Sequence, residues 1–242
     1  MAAFTKIAHR GASGNFPENT RVAFEKAIEA RVDMIEFDCQ LTKDGHVVVF
    51  HDERLDRTAR AKGEVKNHTL AELKKLDIGE WRKRAHKGER ILTLEEVLDV
   101  VGQRVKLCLD IKQFPESPQG IELKLLFILS HYDYLDRAVL SSFDYRCLDR
   151  VRELAPEARL GVIFGSGGAQ DPFVAARRLT AASILVQKEL ATREFLQLAW
   201  DEGLDVYVWT VNEVREMEKF ASVGVQGIIS DFPERFWKLK WS

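Results

Sequence analysis

Short apolar, β-branched runs alternate with longer segments of helical period along nearly the whole chain, and this alternation limits the folds open to it. Strands are expected at 6–9, 34–38, 47–51, 105–111, 138–142, 160–164, 183–187, 206–210 and 227–230. Helices are expected between most of them, at 20–30, 94–101, 121–131, 145–154, 172–179, 193–202 and 213–222. The strand runs are apolar on both faces, as they must be when helices cover a parallel sheet. Repetition of this unit over 242 residues predicts an α/β fold, a (β/α)8 TIM barrel, with a doubly wound open sheet as the runner-up. Nine strands compete for eight barrel places, so one must be a hairpin arm or an outer strand. It falls in the region 36–51, where Gln40-Leu41-Thr42-Lys43-Asp44-Gly45 offers a turn and no helix.

Residues 53–92 interrupt the alternation. They carry Arg54, Arg57, Arg60, Lys62, Lys66, Lys74, Lys75, Arg82, Lys83 and Arg84, with one helical signal at 69–76. The segment reads as an insertion in a βα loop, folded over one mouth of the barrel, and its charges read most simply as a solvated face. Helix starts follow capping rules at Asn19-Thr20, at Thr93 ahead of Glu95-Glu96, and at Asn212 ahead of Glu213.

At 45% hydrophobic and 31% charged, the chain suits a single globular domain over 1–242. A net charge of -2 argues against a nucleic-acid partner, so any anion site must be local. No stretch approaches the roughly 18 apolar residues that span a bilayer, and no stable membrane insertion is expected. The first residues, Met1-Ala2-Ala3-Phe4-Thr5-Lys6, hold no cationic segment leading into an apolar run. Cys39, Cys108 and Cys147 are an odd, widely spaced set that reads as buried thiols in a reducing compartment. A cytoplasmic enzyme is expected.

In a (β/α)8 barrel, the chemistry sits at the C-terminal strand ends, and several ends here are polar. Glu36 and Asp38 lie two apart on a strand, so both leave on one face while Phe37 leaves on the other. Two such carboxylates repel unless a cation lies between them, and oxygen ligands suit Mg²⁺ or Ca²⁺. Asp110 ends another strand and is a candidate third ligand, with Lys112 on its face to meet an anionic substrate. A closed ion-pair network of these carboxylates with Arg10 and Lys112 is the alternative, and the residues alone leave both open. His9 and His51 each close a strand, and one base plus one acid is what displacement at a phosphodiester needs. Arg10 offers a fork of donors for a phosphate. Trp209 offers an apolar wall for a small polyol or choline-like group, or plain core packing. Gly165-Ser166-Gly167-Gly168 reads as a flexible loop, and His46, His68, His86 and His131 as surface or structural residues.

Taken together and in order, these pieces resemble the glycerophosphodiester phosphodiesterase family of cytoplasmic bacterial type. They are His9-Arg10-Gly11 with Pro17-Glu18-Asn19-Thr20, Glu36-Phe37-Asp38, Val48-Val49-Phe50-His51-Asp52, and Leu55-Asp56-Arg57-Thr58. Then follow Leu109-Asp110-Ile111-Lys112, Ser141-Ser142-Phe143, Trp209-Thr210-Val211-Asn212 and Gly227-Ile228-Ile229-Ser230-Asp231-Phe232-Pro233. The resemblance implies a barrel of the phospholipase C-like phosphodiesterase type, with a segment inserted after the second histidine. It implies hydrolysis of a small glycerophosphodiester to sn-glycerol 3-phosphate and an alcohol with one divalent cation, Mg²⁺ or Ca²⁺, Mn²⁺ being a further option. Carried over, His9 and His51 become the acid–base pair, and Glu36, Asp38 and Asp110 the metal ligands. Arg10 and Lys112 become phosphate contacts, and Glu18 a support near His9.

Two positions depart from the family. Asp110 stands where Glu is usual, which puts the metal's affinity and identity in question. Gln226 stands where Asp is frequent, a change expected to be structural. Two other readings compete: a phosphatidylinositol phospholipase C-like lyase that stops at a cyclic phosphate, and an inactive binding barrel. The oligomeric state, a homodimer among the options, is left open.

Overall fold

The computed structural model describes residues 4–114, 117, 119–167 and 170–240, so Met1–Ala3 and Gly168 lie outside the described residues. Eight parallel strands close into a barrel: β1 (Thr5–His9), β2 (Met34–Leu41), β5 (Lys106–Ile111), β6 (Ala138–Ser142), β7 (Arg159–Phe164), β8 (Ser183–Gln187), β9 (Asp205–Trp209) and β10 (Gly227–Ser230). Each pairs with the next, β2 pairs with β5, and β1 pairs with both β10 and β2. That last pairing closes the ring and rules out the open sheet.

The extra strand is β3 (Val47–Val49), which turns back antiparallel onto β2. It falls in the 36–51 region, as the turn at Thr42–Gly45 requires. A two-residue strand absent from the sequence reading, β4 (Leu92–Thr93), pairs antiparallel with β3. The hairpin also corrects two expected ends. β2 runs on to Leu41 because β3 continues its ladder, and β3 stops at Val49. Phe50 donates to the Asp38 carbonyl at 3.0 Å as the last rung. The Gln40 amide then donates to the carbonyls of Phe50 and Asp52, drawing His51 out of the sheet.

The helices are α1 (Arg21–Glu29), α2 (Leu70–Leu73), α3 (Leu94–Val101), α4 (Ile121–His131), α5 (Tyr145–Leu154), α6 (Pro172–Leu179), α7 (Arg193–Asp201) and α8 (Val214–Val223). All but α2 match the sequence expectation to within a residue at each end. Thr93 and Glu96 form a reciprocal capping box at α3. Outward strand residues pack under the helices, as where Phe37 meets Phe24 of α1 at 5.7 Å between ring centres. No described helix is long and apolar enough to cross a membrane.

The segment 53–92 follows β3 and ends on the first residue of β4. The α2 turn there is one short piece of the expected 69–76 helix, capped by Thr69 and Glu72. The segment is not merely a solvated face. It has a small core of its own, in which Leu55, Val65, Leu73, Ile78 and Ile91 are buried with Val48 and Phe50.

The barrel interior fixes where the chemistry can be. One residue from each barrel strand fills its centre: Ile7, Met34, Cys108, Val139, Ile163, Leu185, Tyr207 and Ile229. Strand side chains repeat every second residue. The next inward positions are therefore His9, Glu36, Asp110, Ser141, Gly165, Gln187, Trp209 and Asp231. An apolar plug changes to a polar layer in one step along six of the eight strands, while on β7 the step lands on Gly165 and on β9 on Trp209.

Candidate active site

That polar layer opens into a cavity of about 190 Å³ at the C-terminal ends of the strands. Its charged half is formed by His9, Arg10, Glu36, Asp38, His51, Asp110 and Lys112. Its other half is apolar: Phe143, Ile163, Leu185, Trp209 and Ile229. Eight of the nine residues singled out in the sequence thus share one cavity wall. Glu18, the ninth, stands behind Arg10.

Glu36, Asp38 and Asp110 each offer an oxygen within 4.8 Å of the others, and all three are buried. β2 and β5 align Asp38 directly beside Asp110, so the shorter side chain still brings its carboxylate into the cluster. Asp38 pairs with Lys112 Nζ at 3.0 Å, accepts from the Asn19 amide at 2.9 Å and lies in ion-pair range of Arg10 Nε at 3.3 Å without a hydrogen bond to it. Burial opposes its ionisation, but Lys112 and Arg10 outweigh burial and hold it far below the usual carboxylate range. Asp110 takes Lys112 Nζ on one oxygen at 2.5 Å. Its other oxygen is buried without a partner. Burial and the neighbouring Asp38 raise its pKa. Among the described residues, the Glu36 carboxylate meets the Arg10 N–H at 3.2 Å and His9 Nε2 at 3.9 Å. Burial, then Asp38, pushes its carboxyl up to about 7.

The closed ion-pair alternative is therefore only half realised. Lys112 and Arg10 satisfy Asp38 and half of Asp110, but they leave one buried oxygen orphaned and Glu36 without a cation. Hard oxygen donors at this spacing fit a small divalent ion.

Both histidines are oriented by carboxylates. His9 Nδ1 donates to Asp231 Oδ1 at 2.6 Å. Asn212 and Ser13 also donate to Asp231, at 2.7 and 3.1 Å. Against the cost of burial, these bonds lower the Asp231 carboxyl to about 2. An ionised Asp231 can only accept, so His9 carries its proton on Nδ1 and presents Nε2 to the cavity. His51 is held likewise, with Nδ1 donating to Asp52 Oδ1 at 2.7 Å. Burial lowers the His51 pKa, aided by Arg10 and Lys112, while Asp38 and Asp52 oppose.

Arg10 is built into a tight turn. Its own φ is 54°, and Gly11 follows at 79°. A Cβ on Gly11 would come within 2.7 Å of the Ala23 backbone, so only glycine fits there. Burial works against the Arg10 cation, but Asp38, Glu18 and Glu36 outweigh it and keep it firmly charged. Glu18, expected as a support near His9, bonds to Arg10 Nη1 at 2.9 Å instead, and Asp231 holds His9. Trp209 is edge-on to Phe143 at 5.9 Å, and its indole N–H donates to the Leu185 carbonyl at 3.0 Å. It serves as both wall and packing.

The sequence reading passed over the roles of Asp52, Asp231, Asn19 and Asn212. Asn212 looked like a helix cap, yet Glu213 occupies that position and Asn212 turns onto Asp231 and Ser230. Two signals were available: Asp231 lies two residues past Ile229 in the inward register, and Asp52 adjoins His51. Gln226 is structural, bonding to Trp200, to the backbone N–H of Val206 and to the Gly224 carbonyl.

The glycerophosphoryl diester phosphodiesterase family model matches residues 9–235. A Caldanaerobacter subterraneus glycerophosphodiester phosphodiesterase is 41% identical over 229 residues, covering 94% of each chain. One from Bacillus subtilis is 33% identical, covering 97% of this chain and 85% of its own. An Oleispira antarctica phosphodiesterase, solved in complex with the product sn-glycerol-3-phosphate, superposes with a TM-score of 0.87 at 28% identity, covering 96% of this chain and 94% of its own.

Proposed function

The chain belongs to the glycerophosphodiester phosphodiesterase family, whose members are phosphoric diester hydrolases, and we propose that it hydrolyses small glycerophosphodiesters to sn-glycerol 3-phosphate and an alcohol with one divalent cation. The observation that carries this reading is a pair of imidazoles in one cavity, each held by a carboxylate on Nδ1, beside three clustered acids and two fixed cations. The product seen in the Oleispira antarctica relative supports the same chemistry.

Glu36, Asp38 and Asp110 would hold the cation. When bound, it would screen the phosphate charge and ease deprotonation of the attacking oxygen; the oxygen donors suit Mg²⁺ or Ca²⁺, with Mn²⁺ a further option. Arg10 and Lys112 bind the phosphate oxygens. His51, kept neutral by burial and by those two cations, takes the proton of a glycerol hydroxyl as its oxygen attacks phosphorus. His9 enters this step as the imidazolium, gives its Nε2 proton to the departing alcohol and keeps its Nδ1 proton on Asp231. Water then opens the cyclic phosphate with the two histidines in exchanged roles. Trp209 and Phe143 form the wall along which the carbon skeleton lies, and residues 53–92 cover the mouth. Three buried, free cysteines favour a cytoplasmic setting.

The test is hydrolysis of glycerophosphocholine before and after EDTA, followed by Mg²⁺, Ca²⁺ or Mn²⁺. Activity lost with the chelator and restored by a divalent ion supports the proposal. Full activity in excess EDTA contradicts the metal dependence, and no turnover with any ion favours an inactive barrel.

A further inference from the structure

Arg57, from the inserted segment, touches neither the cavity nor the three clustered acids, yet it joins the two halves of the site. Its Nη1 and Nη2 donate to the two Glu18 oxygens at 2.8 and 2.7 Å. Its Nε and Nη2 donate to the two Asp52 oxygens at 2.7 and 3.0 Å. Each carboxylate already serves one residue of the site. Glu18 Oε1 also accepts from Arg10 at 2.9 Å, and Asp52 Oδ1 also accepts from His51 Nδ1 at 2.7 Å. The result is an unbroken chain: Arg10, Glu18, Arg57, Asp52, His51.

We propose that Arg57 is a positioning residue that sets the aim of Arg10 and the tautomer of His51 together, so that phosphate binding and proton transfer share one brace. This rests on the phosphodiesterase reading above.

The chemistry needs an arginine. Two carboxylates must be held side by side, each in a fixed orientation, and a planar fork with donors on two edges grips both bidentately. A lysine supplies the charge but not the second edge. Glu18 is largely enclosed, and burial would raise its pKa. Arg57 and Arg10 reverse that and keep it below the ordinary value. Asp52 is likewise lowered by Arg57 and His51. Both acids thus stay acceptors only, which fixes the proton on His51 Nδ1 and frees Nε2 for catalysis.

Arg57 is itself fixed from the insertion side. Trp81 lies under its guanidinium at 5.8 Å, with the indole N–H tied to the Ile78 carbonyl at 2.9 Å. Arg82 from the same stretch donates to the Gly14 carbonyl in the loop that carries Arg10 and Glu18. The insertion therefore has a part in catalysis beyond cover.

The experiment compares wild type, Arg57→Lys, Arg57→Ala and, as a control, Arg54→Ala. Arg54 is an exposed neighbour whose side chain pairs with Asp56 at 2.9 Å. The readouts are kcat and KM for glycerophosphocholine, and long-range ¹H–¹⁵N spectra of the histidine rings, which report tautomers without turnover. Wild type should show His51 as the Nδ1–H tautomer. Arg57→Ala should lower kcat by about 100-fold, raise KM, and spread His51 over both tautomers. Arg57→Lys should keep most of the loss, and Arg54→Ala should stay within about twofold of wild type. Should Arg57→Ala fail to fold, Arg57→Lys carries the same comparison. A kcat within about threefold of wild type, or a large loss with His51 still fixed on Nδ1–H, overturns the inference. If wild type turns over no glycerophosphodiester, the functional reading fails, and the tautomer comparison still decides the role of Arg57.

Discussion

His9 and Asp231 stand 222 positions apart in the chain and 2.6 Å apart in the fold. The barrel brings them together because β1 and β10 are neighbours, with Ala8 aligned to Ser230. The bond ties the first and last barrel strands together at the candidate site.

Asp231→Asn tests that bond. An amide can donate to Nδ1 and stabilise the opposite tautomer, putting the proton on Nε2. The expected outcome is a fall in kcat of about 100-fold or more with the circular dichroism spectrum unchanged. Near-native turnover would show that His9 needs no such orientation.

Asp231 also predicts a pH dependence of stability. Its folded pKa is near 2, against an ordinary 3.8. A depressed carboxyl contributes stability that is present above 3.8 and lost as pH falls towards 2, on the order of 2 kcal/mol. Urea unfolding of wild type and Asp231→Asn should therefore converge as pH falls through this window. A gap that stays constant from pH 5 to about pH 2 would contradict the assignment.

His51→Ala removes a proton carrier and no proposed ligand. Turnover should fall by about 1,000-fold, while calorimetric cation affinity stays within about threefold of wild type. Wild-type-like activity would sink the acid–base role.

Glu36→Gln separates stability from cation binding. Burial and Asp38 raise the Glu36 pKa to about 7, so at pH 8 its charge destabilises the cation-free protein. The amide should raise the melting temperature in EDTA and abolish the further rise that Mg²⁺ or Ca²⁺ gives to wild type. An unchanged cation-induced rise in the variant would remove Glu36 from the ligand set.

The barrel and its candidate site were legible to different depths. Strand–helix alternation and the two-residue spacing of Glu36 and Asp38 are local patterns, and they located the barrel, its hairpin and the acidic face. β4 escaped notice because two residues carry no period, and Thr93 already reads as a cap. Asp231 escaped because pairing across a barrel leaves no local trace, whereas Asp52 adjoins His51 and its contact with Nδ1 went unread. Asp231 looks like an ordinary turn acid until the ring closes. Arg57 was one cation in a charged segment, and only the fold shows that its fork meets two carboxylates from different elements.

The central claim is tested most directly by following glycerophosphocholine hydrolysis by ³¹P NMR with a divalent cation present. The account predicts that sn-glycerol 3-phosphate accumulates as the sole lasting phosphorus product, in wild type only and not in His9→Ala or His51→Ala. Lasting accumulation of a cyclic phosphate, or equal product from the histidine variants, would contradict it.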